Sequence, residues 1–155
     1  MSFEKRLAEL GVTLPEVAAP VAAYVPAVQT GNYIYTSGQL PFVEGKLPAT
    51  GKVGEGDGLV SADDAATYAR TCALNALAAV RSVTGSLDAI SRIVKVVGFV
   101  ASDPSFTGQP AVVNGASSVL GEIFGDAGVH ARSAVGVAVL PLDSPVELEL
   151  VVELV

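Results

Sequence analysis

A chain of 155 residues fits the roughly 100–200 residues of one domain and can bury a core without a disulfide or structural metal. Charged residues make up 16% and apolar residues 50%, with a mean hydropathy of +0.52; this excludes a disordered chain and predicts that part of the surface is hidden against further copies of itself. Nine Lys and Arg against sixteen Asp and Glu give a net charge of −7, which repels phosphate backbones and anionic lipid, so neither nucleic acid nor a membrane is an expected partner.

The N-terminal residues Met1 to Arg6 lack the apolar core of a signal peptide, and Cys72 is the single cysteine, so a cytoplasmic protein without internal disulfides is expected. Residues 3–10 predict a short helix ended by Gly11, with Pro15 to Pro20 as an extended connector. From Val17 to Val43 there is no charge, but Pro20, Pro26, Gly31, Gly38 and Pro41 interrupt the run, which suits buried strands and not a membrane helix. Within it, residues 23–29 and 33–37 flank Thr30-Gly31-Asn32 and predict a hairpin, with Tyr24 in its first strand. Gln39 to Leu59 reads as a long loop with a short strand pair around Lys46 to Val53.

Ser61-Ala62-Asp63-Asp64 has capping-box spacing, and Ala69, Cys72, Ala73, Ala76, Leu77, Val80 and Val83 recur at helical intervals as far as Gly85, predicting a helix whose alanine-rich stripe lies close to a sheet. Residues 92–100 are β-branched and mostly uncharged, as in a central strand buried on both faces. A second helix is predicted over 109–124, then strands over 131–140 and 146–154, for an order β-β-α-β-α-β-β. Asn114-Gly115 is read as an interruption of the second helix, since neither residue favours one.

No glycine-rich phosphate loop, paired cysteine or histidine cluster is present, so no cofactor and no metal is expected. Arg132 shares a strand face with the small residues Ala134, Gly136 and Ala138, leaving room above them for an anion, and its planar fork of donors matches a carboxylate; the alternative is an arginine reaching into solvent. Glu147 and Glu149 alternate with apolar residues, and by pattern alone they form the solvated face of a last strand. His130 reads as a solvated turn residue, and Cys72 as a small buried hydrophobe.

Five segments, in order, are similar to the RidA/YjgF reactive-intermediate deaminase family, which also carries the L-PSP endoribonuclease name: Tyr24-Val25-Pro26-Ala27-Val28 with Gly31-Asn32, Thr36-Ser37-Gly38-Gln39-Leu40-Pro41, Val113-Asn114, Ala131 to Val137 through Leu140-Pro141, and Val146-Glu147-Leu148-Glu149. The resemblance implies one chorismate-mutase-like α/β (α+β) domain over 1–155 with an N-terminal helical extension of about 1–20. It further implies a mixed sheet with two helices on one face, a last strand inserted away from its sequence neighbour, and a homotrimer with sites between subunits. The implied activity is hydrolysis of small enamine or imine intermediates to 2-oxo acids and ammonia. Carried over, Arg132 clamps the substrate carboxylate and Glu147 positions water, so these two are the catalytic candidates. Tyr24 and Asn114 line the pocket, and Ser37 and Gly38 help to hold the carboxylate. The chain departs from the family's best-known members in its longer loop after Pro41 and in Ala134, where a cysteine is common. A carboxylate-binding protein without turnover is the alternative function, and a ribonuclease or translation inhibitor fits the charge poorly.

Overall fold

The computed structural model describes residues 2–17 and 22–155; part of the connector expected over Pro15 to Pro20 lies outside them. Helix α1, Phe3–Glu9, starts at Ser2, whose hydroxyl accepts from the Lys5 amide, and is followed by Gly11 at φ +66°. It is docked by the Asp88 carboxylate, which accepts from the Phe3 amide at 2.6 Å, and by the Phe3 ring against Phe124.

Strands β1 (Ala27–Thr30) and β2 (Tyr33–Thr36) form the expected hairpin around Gly31. The first strand is shorter than its composition suggests, and Tyr24 precedes it in irregular chain. The long loop contains no strand pair at Lys46 to Val53; Val43 and Lys46 make a single bridge, and Val53 bridges Val60 and Ser102. Asn75 holds the start of this loop by donating to the carbonyls of Leu40 and Phe42.

Helix α2, Ala62–Thr84, is bounded as its sequence requires: Ser61 accepts from the Asp64 amide, Asp63 and Asp64 lie at the positive end of the helix dipole, and Gly85 ends it in the left-handed region. Helix α3, Gln109–Phe124, is continuous through Asn114-Gly115, contrary to the expected interruption. Gly115 is instead where α3 crosses α2, because a Cβ there would collide with the Ala66 carbonyl.

Strands β3 (Ile90–Ala101), β4 (Ala131–Val137) and β5 (Val146–Leu154) complete one mixed sheet in the order β1-β2-β5-β3-β4. The two last strands do not form the hairpin that chain order alone suggests. β4 pairs parallel to β3 across the α3 connection, and β5 lies between β2 and β3, antiparallel to both, as expected from the resemblance. Both helices cover one face, burying Ile34, Val96, Val100, Leu148, Leu150 and Val152. Paired residues share a face, so Val28, Tyr35, Val151, Val97, Phe99 and Val135 lie together on the other. Among the described residues, no helix covers that face. The central strand and the β1–β2 hairpin are therefore buried on one side only within a single chain, with Val28 at 55% and Tyr35 at 47% exposure.

Candidate active site

The candidate residues fall into two groups separated by the sheet. The first is built on β4 and α3. Arg132 pairs with the buried Val96 and so points to the helix side, at the sheet edge where α3 passes. Its Nη1 donates to Asn114 Oδ1 at 2.7 Å and to Ser117 Oγ at 3.2 Å. Those two bonds use both hydrogens of Nη1. The parallel donors on Nε and Nη2 remain, and among the described residues neither has a hydrogen-bond partner and no carboxylate pairs with the guanidinium. The tethered cation thus keeps the edge that fits a carboxylate bidentately.

The floor beside it is less open than expected. The space over Gly136 holds the Gln109 amide, and Gly98, paired with Ala134, lies under Val113. The floor that the sequence suggested for an anion is thus partly filled by Gln109 and Val113.

His130 belongs to the same group, and the sequence reading of a solvated turn residue is corrected here. The imidazole is half-buried, with Nδ1 2.6 Å from the Gly128 carbonyl and Nε2 2.9 Å from Ser117 Oγ. Its position two residues ahead of Arg132, just before β4, was the available signal. Ser117, one turn beyond Asn114 on α3, was missed for lack of any.

The second group lies where β2 leaves the sheet. The Leu150 amide donates to Thr36 Oγ1 at 2.9 Å, and backbone pairing resumes between Gln39 and Leu148. Two residues, Ser37 and Gly38, therefore oppose Glu149 alone, as in a β-bulge. Ser37 is fully committed: its hydroxyl donates to the Val25 carbonyl at 2.6 Å and its amide to Pro26 at 2.8 Å, which ties the Tyr24 segment to the bulge. Gly38 lies against the Glu147 carboxylate, and a Cβ there would collide with Glu147 Oε1. Tyr24 is 56% exposed.

Glu147 faces the uncovered side of the sheet, beside Phe99. It is half-buried, unlike the solvated residue its pattern suggested; burial pushes its carboxyl above the ordinary glutamate value, and the negative charge of Glu149 pushes the same way. Cys72 is fully buried, and burial raises its thiol well above the usual range, with Glu147 contributing; it is a protonated core residue.

Arg132 and Glu147 are not brought together within one chain. Arg132 is level with Leu150, three residues from Glu147 and two strands away, so their backbones are on the order of 14 Å apart from strand spacing and rise. Their side chains also leave opposite faces. Two open surface clefts, one lined by Leu14, Val17 and Arg81 and the other by Gly54, Leu59 and Asp63, contain none of these residues. Among the described residues, no group of three or more His, Cys, Asp or Glu side chains is placed to hold a metal, and no helix is long and apolar enough to cross a membrane.

A mixed five-stranded sheet with two helices on one face, and an anchored arginine at its edge, defines a small α+β domain with an open guanidinium edge. The pattern of the YjgF/chorismate mutase-like, putative endoribonuclease family matches residues 4–154, and the chain belongs to that family. It is 42% identical over 149 residues to Protein TCP17 of Trypanosoma cruzi, covering 96% of this chain and 91% of the relative. The crystal structure of Atu1372, a protein of unknown function from Agrobacterium tumefaciens, is similar at 44% identity and a TM-score of 0.88, covering 99% of this chain and 92% of that one. A Shewanella oneidensis structure described as a putative endoribonuclease reaches a TM-score of 0.92 at 36% identity, covering 99% and 100% of the two chains. At 25% identity and a TM-score of 0.65, over 91% of this chain and 94% of the other, the fold is also that of TdcF from E. coli, solved with bound serine.

Proposed function

We propose that this protein hydrolyses small enamine and imine intermediates to 2-oxo acids and ammonia, without a cofactor, as a cytoplasmic homotrimer whose sites lie between subunits. The observation that carries this reading is the Arg132 guanidinium, tethered through Nη1 with its Nε and Nη2 donors open. A fixed, unpaired fork at the edge of a domain is suited to a small carboxylate. The serine held by TdcF is such a molecule.

The reaction asks little of the protein. The enamine tautomerises to an imine, water adds to the imine carbon, and the carbon–nitrogen bond then breaks to release ammonia and leave the 2-oxo acid. Arg132 fixes the carboxylate, Asn114 steadies Arg132, and Tyr24 closes the pocket. Glu147 orients the water, accepts its proton and returns it to the departing nitrogen. With Ser37 committed to the Tyr24 segment, the backbone donor left for the substrate at the bulge is the Gly38 amide.

Because Arg132 and Glu147 leave opposite faces of one sheet, the reading requires one copy's Arg132 and Asn114 to meet a neighbour's Glu147, Gly38 and Tyr24. The uncovered apolar face supplies a surface for that association, and the association brings the neighbour's acid to the clamp. A coupled assay tests the reading: a threonine or serine dehydratase generates the imine, and added protein accelerates 2-oxo-acid release. Arg132→Ala abolishes the acceleration. No acceleration with several amino-acid-derived imines overturns it.

Carboxylate binding without turnover is the second reading, favoured by Ala134 in place of the family's frequent pocket cysteine. Calorimetry showing 2-oxo-acid binding with no hydrolysis selects it. Ribonuclease activity is opposed by the net charge of −7, which repels RNA.

A further inference from the structure

We propose that His130 and Ser117 are positioning residues that set the Arg132 guanidinium for its carboxylate; the proposal rests on the reading of Arg132 as the substrate clamp. The chain of hydrogen bonds has one direction. The Gly128 carbonyl only accepts, so the His130 Nδ1 facing it at 2.6 Å carries the ring proton. In the neutral imidazole Nε2 is then an acceptor, and the Ser117 hydroxyl 2.9 Å away donates to it. With its proton committed, the hydroxyl oxygen turns its lone pairs to Arg132 Nη1, which donates at 3.2 Å. A charged ring would instead press a second cation on the same oxygen.

Each link is fixed by the fold. Gly128 is buried, with its Cα so close to the Leu120 carbonyl that a side chain would collide, which anchors the first acceptor. His130 lies just before β4, two residues ahead of Arg132, and Ser117 lies one helical turn beyond Asn114 on α3, so the two Nη1 acceptors bracket the guanidinium from a single helix. Successive donors polarise one another along such a chain. The consequence is a guanidinium whose rotation about Nε is stopped, with its open edge turned outward.

Arg132 grips the carboxylate equally before and during bond breaking, so loss of the dyad raises KM and leaves kcat nearly unchanged. The test compares wild type, S117A, H130A, H130Q and H130N in the coupled dehydratase assay, with 2-oxobutanoate binding titrated by calorimetry on the same samples and folding followed by circular dichroism. For S117A, H130A and H130N, both KM and Kd rise about tenfold, with kcat within about twofold. H130Q places a carbonyl oxygen where Nε2 stood and returns both constants to within about twofold of wild type; H130N reaches Gly128 but not Ser117. Unchanged binding in H130A and S117A, or equal behaviour of H130Q and H130N in folded proteins, overturns the proposal. A wild type that binds 2-oxobutanoate without turnover, weakened by the same variants, overturns hydrolysis and upholds the dyad. A wild type that neither binds nor turns over overturns both.

Discussion

Arg132 shows how far one side chain's surroundings define what it can hold. Lysine at this position would bring a point charge without the ability to bond Asn114 and Ser117 while offering two parallel donors outward. Arg132→Lys is therefore expected to lower kcat/KM by about 100-fold, measured in the coupled assay. A change at Gly38 tests the acid partner without replacing it. Alanine there collides with the free end of the Glu147 side chain, which swings aside, so Gly38→Ala removes most activity while the melting temperature shifts by only a few degrees. In the proposed reaction Glu147 acts as a base in its charged form, and burial with the neighbouring Glu149 disfavours that form. As pH falls, activity is lost from a pH above the ordinary glutamate value of about 4.3, and this acid limb disappears from the residual activity of Glu147→Gln. Arg132 was legible because a cation among small strand residues is conspicuous. Ser117 and His130 were not, because their partnership spans two elements and a single histidine carries no pattern of its own.

The helices were read almost to the residue because their ends are written locally. Ser61 and Gly85 bound α2 through contacts within a few residues, and Ser61→Ala is expected to cost about 1 kcal/mol in denaturant unfolding. Gly115 has a different origin: its lack of a side chain answers to Ala66 on another helix. A sequence window shows only a poor helix former, hence the expected interruption. Gly115→Ala forces the two helices apart and is expected to destabilise by about 3 kcal/mol in the same measurement, well beyond any propensity gain. Strand order follows the same logic. Periodicity located β4 and β5, but nothing within either says that β5 enters between β2 and β3. That placement came from the resemblance, because pairing partners are chosen by the whole sheet.

A chain with half its residues apolar leaves one face of its sheet uncovered, and the composition had already pointed to association. The trimer is tested by scattering-derived mass and, more sharply, by mixing. If each site takes Arg132 from one copy and Glu147 from the next, Arg132→Ala chains are inactive alone and Glu147→Gln chains keep only their residual activity. Co-expressed, they recover about a quarter of wild-type activity, since about three quarters of random trimers are mixed and each of these has one intact site of three. No recovery places both residues in sites of one copy. What composition could not show was the geometry that makes this test possible, because only the strand register assigns the two residues to opposite faces. The sheet, with β3 between the two strands, keeps the cation and the acid from quenching each other within a lone chain. On the proposed function, each newly made chain carries half of a tool, and the completed tool exists only after an encounter, so dilution alone would disarm it.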